Sequence, residues 1–177
     1  MSSNQTITLI ANDGVEVQAS IQAVKQSITL RHMLEDLLEI GTDMPVPIPE
    51  VNGETLKKCI EWCEHHRKDP YAPTTKEETP APGSRTKLTE VPEWDKDFFK
   101  FDDSELLLAL LSAANYLDIP LLLQYAVSAT ALKILDKSTE EMRKFFNIQT
   151  DFSPEEEAKI RKENGWIDQH GNKDSEK

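Results

Sequence analysis

Two cysteines and two histidines lie close together in the segment CIEWCEHH, residues 59–66. Side chains of these two types can bind a metal ion, and cysteine pairs can exchange electrons as thiols and disulfides. Cys59 and Cys63 are the only cysteines of the 177-residue chain. On a helix, Cys59, Cys63 and His66 fall at positions i, i+4 and i+7, so three potential ligands would share one face. Zinc prefers thiolate and imidazole ligands, which makes a metal site one interpretation. A redox-active thiol pair is a second.

A structural role in a helix core is the third interpretation, and the rest of the chain favours it. Structural zinc sites draw paired ligands from two segments, whereas His32 and His170 are isolated. Two cysteines four positions apart on a helix are poorly placed for a disulfide. The opening residues MSSNQT do not resemble a signal peptide, so we expect a reduced intracellular environment. The cysteines then belong to the apolar stripe of an amphipathic helix.

The composition and the motifs exclude several other classes of function. The formal net charge is −12, and no basic run offsets it, which argues against binding to a nucleic-acid backbone. No apolar run approaches the roughly 20 residues needed to cross a bilayer, so we expect no membrane partner and a cytoplasmic and nuclear location. A Gly-rich phosphate loop, a nucleophile elbow and an HExxH pattern are all missing from the sequence. We therefore expect no enzymatic activity.

The first half of the chain predicts a small sheet with helices. TITLIANDGVEVQAS predicts an edge hairpin that turns at residues 12–14, because Asn, Asp and Gly tolerate the positive φ of a tight turn. SITLRHMLEDLLEI predicts a helix that ends before Gly41. PVPIPEV predicts a short edge strand, since its prolines cannot donate to a ladder, and residues 52–67 predict a helix. The proline-rich residues 68–92 predict a mobile, dispensable loop.

The second half predicts helices only. EWDKDFF, residues 104–117 and residues 121–135 predict helices, and the last two are apolar nearly all round, as expected at the centre of a domain. STEE and SPEE, which begin at Ser138 and Ser153, are capping boxes that start two more helices. These final helices are short and polar, yet they carry apolar side chains that they cannot bury by themselves. We therefore expect another molecule to cover that surface.

Five segments together resemble the S-phase kinase-associated protein family, the adaptors that join F-box proteins to a cullin in SCF-type ubiquitin ligases. They are KQSITLRHMLEDL, PVPIPEVNGETLKKCIEWCEHHRKDP, VPEWDKDFFKFD, AANYLDI and RKFFNIQTDFSPEEEAKIRKENGW. The resemblance implies an α+β BTB/POZ fold with a C-terminal helical extension. Residues 1–67 and 93–136 would form the BTB/POZ domain around the loop 68–92, and residues 137–177 the F-box-binding extension and tail. It also implies that CIEWCEHH is a structural helix without a metal or another cofactor.

The resemblance further implies a non-catalytic adaptor for ubiquitin conjugation with two partners, F-box proteins and a cullin. Asn115 and Tyr116 match the pair that contacts the cullin, although Tyr116 could instead be an aromatic residue of the core. Weak self-association through the BTB/POZ face is also expected. The F-box protein would contact ten apolar residues by helix-in-groove packing. They are Leu107, Leu108, Leu111, Met142, Phe145, Phe146, Ile148, Phe152, Ile160 and Trp166.

Several positions depart from the family pattern and indicate a divergent paralogue. Ser112 replaces an apolar residue, and Asp136 replaces the glycine that usually ends its helix. Other departures are Pro120-Leu121, Val127-Ser128 and Leu132-Lys133. Because these changes lie close to both expected interfaces, an alternative is a BTB/POZ protein that binds F-box proteins or self-associates without a cullin. A zinc or thiol protein that uses Cys59, Cys63 and His66 is a third hypothesis.

Overall fold

The computed structural model describes residues 6–40, 44–71, 90–101, 103–149 and 152–163. The chain forms two compact units, residues 1–131 and residues 132–177. None of the helices within the described ranges combines the length and the apolar composition needed to cross a membrane.

The first unit contains a three-stranded sheet. β1 (Thr6–Ala11) and β2 (Glu16–Ser20) form an antiparallel hairpin, and β3 (Val46–Ile48) pairs in parallel with β1. Gly14 turns the hairpin at a φ of +79°, where glycine carries no steric cost. The hairpin and the short edge strand confirm the prediction. The hairpin is not wholly at the edge, however, because β3 occupies the second side of β1 and makes it the central strand.

Six helices begin among the described residues of the first unit; five lie close to the predicted bounds, and the short α1 (Ile21–Val24) was not predicted. Asn52 caps the third helix by accepting a hydrogen bond from the Thr55 amide at 2.8 Å, and Asp103 caps the fifth. Proline occupies the first position of the sixth, where its missing N–H costs nothing. The helices are α1 (Ile21–Val24), α2 (Ile28–Ile40), α3 (Gly53–His65), α4 (Glu93–Phe98), α5 (Ser104–Tyr116) and α6 (Pro120–Ile134).

Helix α3 supplies much of the core of this unit. Its buried side chains include Leu56, Ile60 and the fully enclosed Trp62. The Trp62 indole N–H donates to Oδ1 of the buried Asp95 at 2.6 Å, and Nε2 of His66 lies 3.2 Å from the same oxygen. Both contacts are made by one oxygen of the carboxyl group, and within the described ranges the buried Oδ2 has no hydrogen-bond partner. Through Oδ1 this cluster joins α4 to α3.

The expectation that α5 and α6 are buried on all sides is wrong. Leu110 and Leu122 lie in the core, but Leu106 is only half-buried and Val127 is exposed. An apolar composition indicates that a surface will be covered. It does not indicate whether the same chain or a partner covers it.

After the end of α6, the described residues of the second unit form two short helices, α7 (Thr139–Phe145) and α8 (Pro154–Glu163). Both predicted capping boxes are present. The Ser138 amide donates to Glu141 Oε2 at 2.8 Å, and the Ser153 amide donates to Glu156 Oε2 at 2.9 Å. These amide donors, helped by the serine hydroxyls, lower the pKa of both glutamates. Asn147, at a φ of 52°, ends α7 in the left-handed conformation that asparagine tolerates.

Candidate functional site

The two cysteines belong to the core of α3, as the third interpretation of the sequence predicted. Both side chains are fully buried and both thiols are free. Burial raises the pKa of Cys59 to about 12 and raises that of Cys63 well above its ordinary value, which disfavours in the free chain the thiolate form that metal binding and redox exchange use. His66 is engaged elsewhere, with Nδ1 2.6 Å from Asp69 Oδ2. Within the described ranges, no group of three metal-ligating side chains comes together.

Asn115 and Tyr116, the predicted cullin contacts, lie on the last turn of α5. Asp118 follows in the left-handed conformation, at a φ of 49°, and its carbonyl accepts a hydrogen bond from the Ile28 amide at 2.9 Å. The end of α5 is therefore attached to the start of α2. Asn115 is exposed, and Tyr116 is 36% exposed, so Tyr116 is not an aromatic residue of the core. Both side chains can reach a partner.

A cavity of about 250 Å³ adjoins this pair, and the sequence did not predict it. Residues 50–52 line one side, and Ala109, Ser112 and Tyr116 of α5 line another. Thr55 of α3 also lines the cavity. Thr55 precedes Cys59 by four positions, so it lies in the same buried stripe of α3. A polar residue in that stripe was the signal that could have identified the cavity.

The apolar residues of the second unit are largely uncovered. Ile148 is 58% exposed and Phe152 is 53% exposed, and Ile160 is also exposed. Met142, Phe145 and Phe146 are half-buried, and the two phenylalanine rings meet edge to face with centroids 5.1 Å apart. We call these six residues the extension patch. Trp166, which was predicted to belong to the same set, lies outside the described residues.

Three predicted F-box contacts lie instead on α5 of the first unit. Leu107 is fully buried and contributes to the core, so it offers no surface to a partner. Leu108 and Leu111 are half-buried. The predicted loop at 68–92 falls mostly on residues 72–89, which are also outside the described ranges.

A small sheet packed with helices, followed by short helices with uncovered apolar side chains, defines an α+β protein-interaction module. Comparison with family models makes the assignment specific. The Skp1 family tetramerisation domain matches residues 5–68, and the Skp1 family dimerisation domain matches residues 120–167. The chain belongs to the Skp1 family, which confirms the predicted BTB/POZ fold with its C-terminal helical extension.

Similar proteins from fungi match almost end to end. A protein of Arthroderma benhamiae is 49% identical over 92% of this chain and 95% of its own length. A protein of Talaromyces stipitatus is 46% identical over 92% of this chain and 96% of its own length. One of Aspergillus terreus is 44% identical over 96% of this chain and 100% of its own length. All three are named E3 ubiquitin ligase complex SCF subunit sconC.

Proposed function

We propose that the protein is the adaptor subunit of an SCF-type E3 ubiquitin ligase and joins F-box proteins to a cullin. Its similarity to SCF subunits over at least 92% of the chain is the observation that carries this proposal. The protein is a non-catalytic member of the ligase. Its contribution is to hold two partners together, so its function depends on two separate binding surfaces.

The extension patch is the surface proposed for the F-box protein. Water surrounds much of Ile148 and Phe152 in the free chain, and covering apolar area stabilises a complex by roughly 25 cal/mol per Å². Aromatic side chains dominate such interfaces because they bury a large area with few rotatable bonds. A helical partner that lays its own apolar face on the patch would satisfy both conditions. Trp166, Leu108 and Leu111 remain predictions from the sequence.

The end of α5 is the surface proposed for the cullin. Asn115 offers an amide and Tyr116 offers a partly exposed ring with a hydroxyl, which suits an interface that is apolar at its centre and polar at its rim. The backbone hydrogen bond between Asp118 and Ile28 fixes their position before binding. A preorganised surface loses little conformational entropy when the complex forms.

Separate binding assays with an F-box fragment and a cullin N-terminal fragment test the two surfaces. Asn115→Lys combined with Tyr116→Ala should abolish cullin binding and leave F-box binding intact. Phe145→Ala should leave cullin binding intact and weaken F-box binding by about 1 to 4 kcal/mol, the range of aromatic hot spots. Leu135→Ala is the matched control, because Leu135 is an exposed apolar residue of the second unit outside the patch.

The alternative is a family member that binds F-box proteins or self-associates without docking a cullin. The domain descriptions of the family, tetramerisation and dimerisation, are compatible with weak self-association, and the exposed Val127 on α6 could contribute. The same assays distinguish the two hypotheses. Binding of the wild-type protein to F-box fragments but to no cullin fragment, together with concentration-dependent mass in sedimentation, would favour the alternative.

A further inference from the structure

The cavity beside Tyr116 has two walls, and both carry exposed side chains. Tyr116, at the end of α5, belongs to one wall. Glu50 and Asn52, in the segment that leads into α3, belong to the other, and both are exposed. A partner that covers Tyr116 and lies across the cavity therefore reaches Glu50.

The turn of the β1–β2 hairpin holds the wall that carries Glu50. The Asn12 amide donates to the Val51 carbonyl at 3.0 Å, and the Gly53 amide donates to Asp13 Oδ2 at 2.9 Å. The other oxygen of the same carboxylate accepts from the Val15 amide at 3.2 Å. The two amides, chiefly that of Gly53, lower the pKa of Asp13. The carboxylate thus joins the turn to the first residue of α3.

Gly53 brings the turn and the start of α3 into direct contact. A Cβ atom at this position would lie 2.5 Å from Val15 Cβ, so a larger residue would push the two apart. The opposite wall is fixed as well, because the Asp118 carbonyl accepts from the Ile28 amide. A surface that is fixed on both sides before binding loses little conformational entropy in the complex.

Glu50 gives the cavity its electrostatic character. Among the described residues that line the cavity, it is the one with a charged side chain. Its exposed carboxylate takes part in none of the ion pairs within the described ranges. Val51 and Ala113, which line the same cavity, are buried and apolar. Lysine and arginine combine an apolar stem with a cationic tip, so they match this lining.

We propose that the cullin-binding surface extends from Tyr116 across the cavity to Glu50, where the cullin places a lysine or an arginine against the carboxylate. This proposal rests on the proposed function, because it takes the cullin as the partner at Tyr116. Asp13 is a positioning residue for the contact, since it holds the segment beside Glu50 and does not line the cavity itself. Glu50 then favours cullins with a cation at this place and disfavours those with an acid.

Stopped-flow binding of a cullin N-terminal fragment to the full chain, at low and high salt, tests the role of the charge. Glu50→Lys should raise the Kd at low salt by about 10-fold, mainly through slower association. The difference should shrink at about 1 M salt, where the Debye length is only about 3 Å. Glu54→Lys is the matched control, because Glu54 is an exposed carboxylate nearby that does not line the cavity. Its Kd should stay within about 3-fold of the wild-type value.

Asp13→Ala tests the positioning role. The variant loses both hydrogen bonds of the carboxylate, so the wall loosens and the Kd should rise by about 3- to 10-fold, by nearly the same factor at low and high salt. Ser20→Ala is the matched control, because it removes another side-chain cap from the same unit. It should lower the melting temperature and leave the cullin Kd unchanged.

F-box binding provides the common control, and all four variants should bind an F-box fragment as the wild type does. If the wild type binds the cullin fragment and Glu50→Lys binds it equally well, this inference is wrong while the proposed function stands. An equal loss in Glu54→Lys would overturn it too, because the effect would then come from net charge. Unchanged binding in Asp13→Ala would exclude the positioning role. If the wild type binds no cullin fragment, the proposed function fails together with the inference.

Discussion

The two units of the chain use their apolar side chains in opposite ways. In the first unit, α3 buries seven of its 13 residues, including Trp62 and both cysteines. In the second, α7 buries none, and Ile148 and Phe152 are more than half exposed. The second unit is held locally by its capping boxes and by the turn at Asn147. Short helices with these features are marginal in water unless tertiary packing supports them.

We infer from this difference that the apolar residues of the first unit mainly stabilise the fold, whereas those of the second unit are available for binding a partner. The first unit contains a buried core of its own, and the hydrogen bond from the Ile28 amide to the Asp118 carbonyl fixes the end of α5. The second unit leaves apolar side chains exposed, so its stability should rise if a partner covers them, as the proposed function requires. The predictions below test that inference, beginning with the largest expected effect.

Hydrogen exchange should show the contrast most strongly. Amides in α3 and α5 should exchange at least about 10³-fold more slowly than those in α7 and α8, because the former open only when the core unfolds. Adding an F-box fragment should slow exchange in α7 and α8 and leave α3 unchanged. Equal protection of α5 and α7 in the free protein would mean that the second unit is stably folded without a partner.

Much of this contrast could be predicted from the sequence, because both of its parts depend on local patterns. The spacing of Leu56, Cys59 and Cys63 predicts a buried stripe, and the serines at 138 and 153 predict helix starts. The burial of Leu107 could not be predicted, since it depends on which side of the leucine-rich helix α5 faces the core. The central position of β1 also depends on pairing with a distant segment, and no local pattern encodes that pairing.

The polar contacts between residues far apart in the sequence also could not be predicted from local patterns. Nothing near Trp62 indicates that Asp95, 33 positions later, accepts its indole N–H. Thr55 is a polar residue in the buried stripe of α3, but the sequence does not show that residues of α5 line the opposite side of the cavity beside it. Such features arise from packing between elements, so the cavity beside Tyr116 could be described only from the fold.

Replacing Trp62 by alanine should have the largest effect on stability. The change removes a fully buried side chain and one hydrogen-bond donor to the buried Asp95, and it should cost about 3 to 5 kcal/mol in the free energy of unfolding. Urea unfolding followed by circular dichroism measures this. Phe152→Ala is the matched aromatic control and should change the unfolding free energy by less than about 0.5 kcal/mol. An equal loss of unfolding free energy in Trp62→Ala and Phe152→Ala would contradict the inference that the first unit, and not the second, carries the stability.

Removing a single cap should have a smaller and strictly local effect. Ser138→Ala deletes the hydroxyl that accepts from the Glu141 amide, and it should destabilise α7 by about 1 kcal/mol. Exchange rates should rise in α7 and stay constant in α8. Ser153→Ala is the reciprocal variant and should affect α8 alone. A change throughout both helices in either variant would show that the second unit unfolds as one cooperative body.

The smallest effect should be the pH dependence that Glu64 gives to the first unit. Burial opposes ionisation of this carboxylate, but the Ser20 amide, at 2.7 Å, the Ser20 hydroxyl and Arg67 outweigh it and lower its pKa below the ordinary 4.5. A folded-state pKa below the unfolded value means that the stabilisation is present above pH 4.5 and is lost as the pH falls through the folded pKa. The effect should be small because the group is partly exposed.

Urea midpoints of the wild type and Glu64→Gln, measured from neutral to acid pH, test whether the stabilisation by Glu64 is lost as the pH falls. The wild type should be more stable than the variant at neutral pH. The difference should shrink as the pH falls below 4.5 and through the folded pKa of Glu64, because protonation then leaves both side chains uncharged. Arg67→Gln should reduce the difference at neutral pH, since Arg67 Nη1 lies 3.3 Å from Glu64 Oε2. Glu141 and Glu156 also have lowered pKa values, yet they should not contribute to this midpoint if α7 and α8 unfold independently of the first unit. A difference that instead grows as the pH falls would mean that burial controls the ionisation of Glu64.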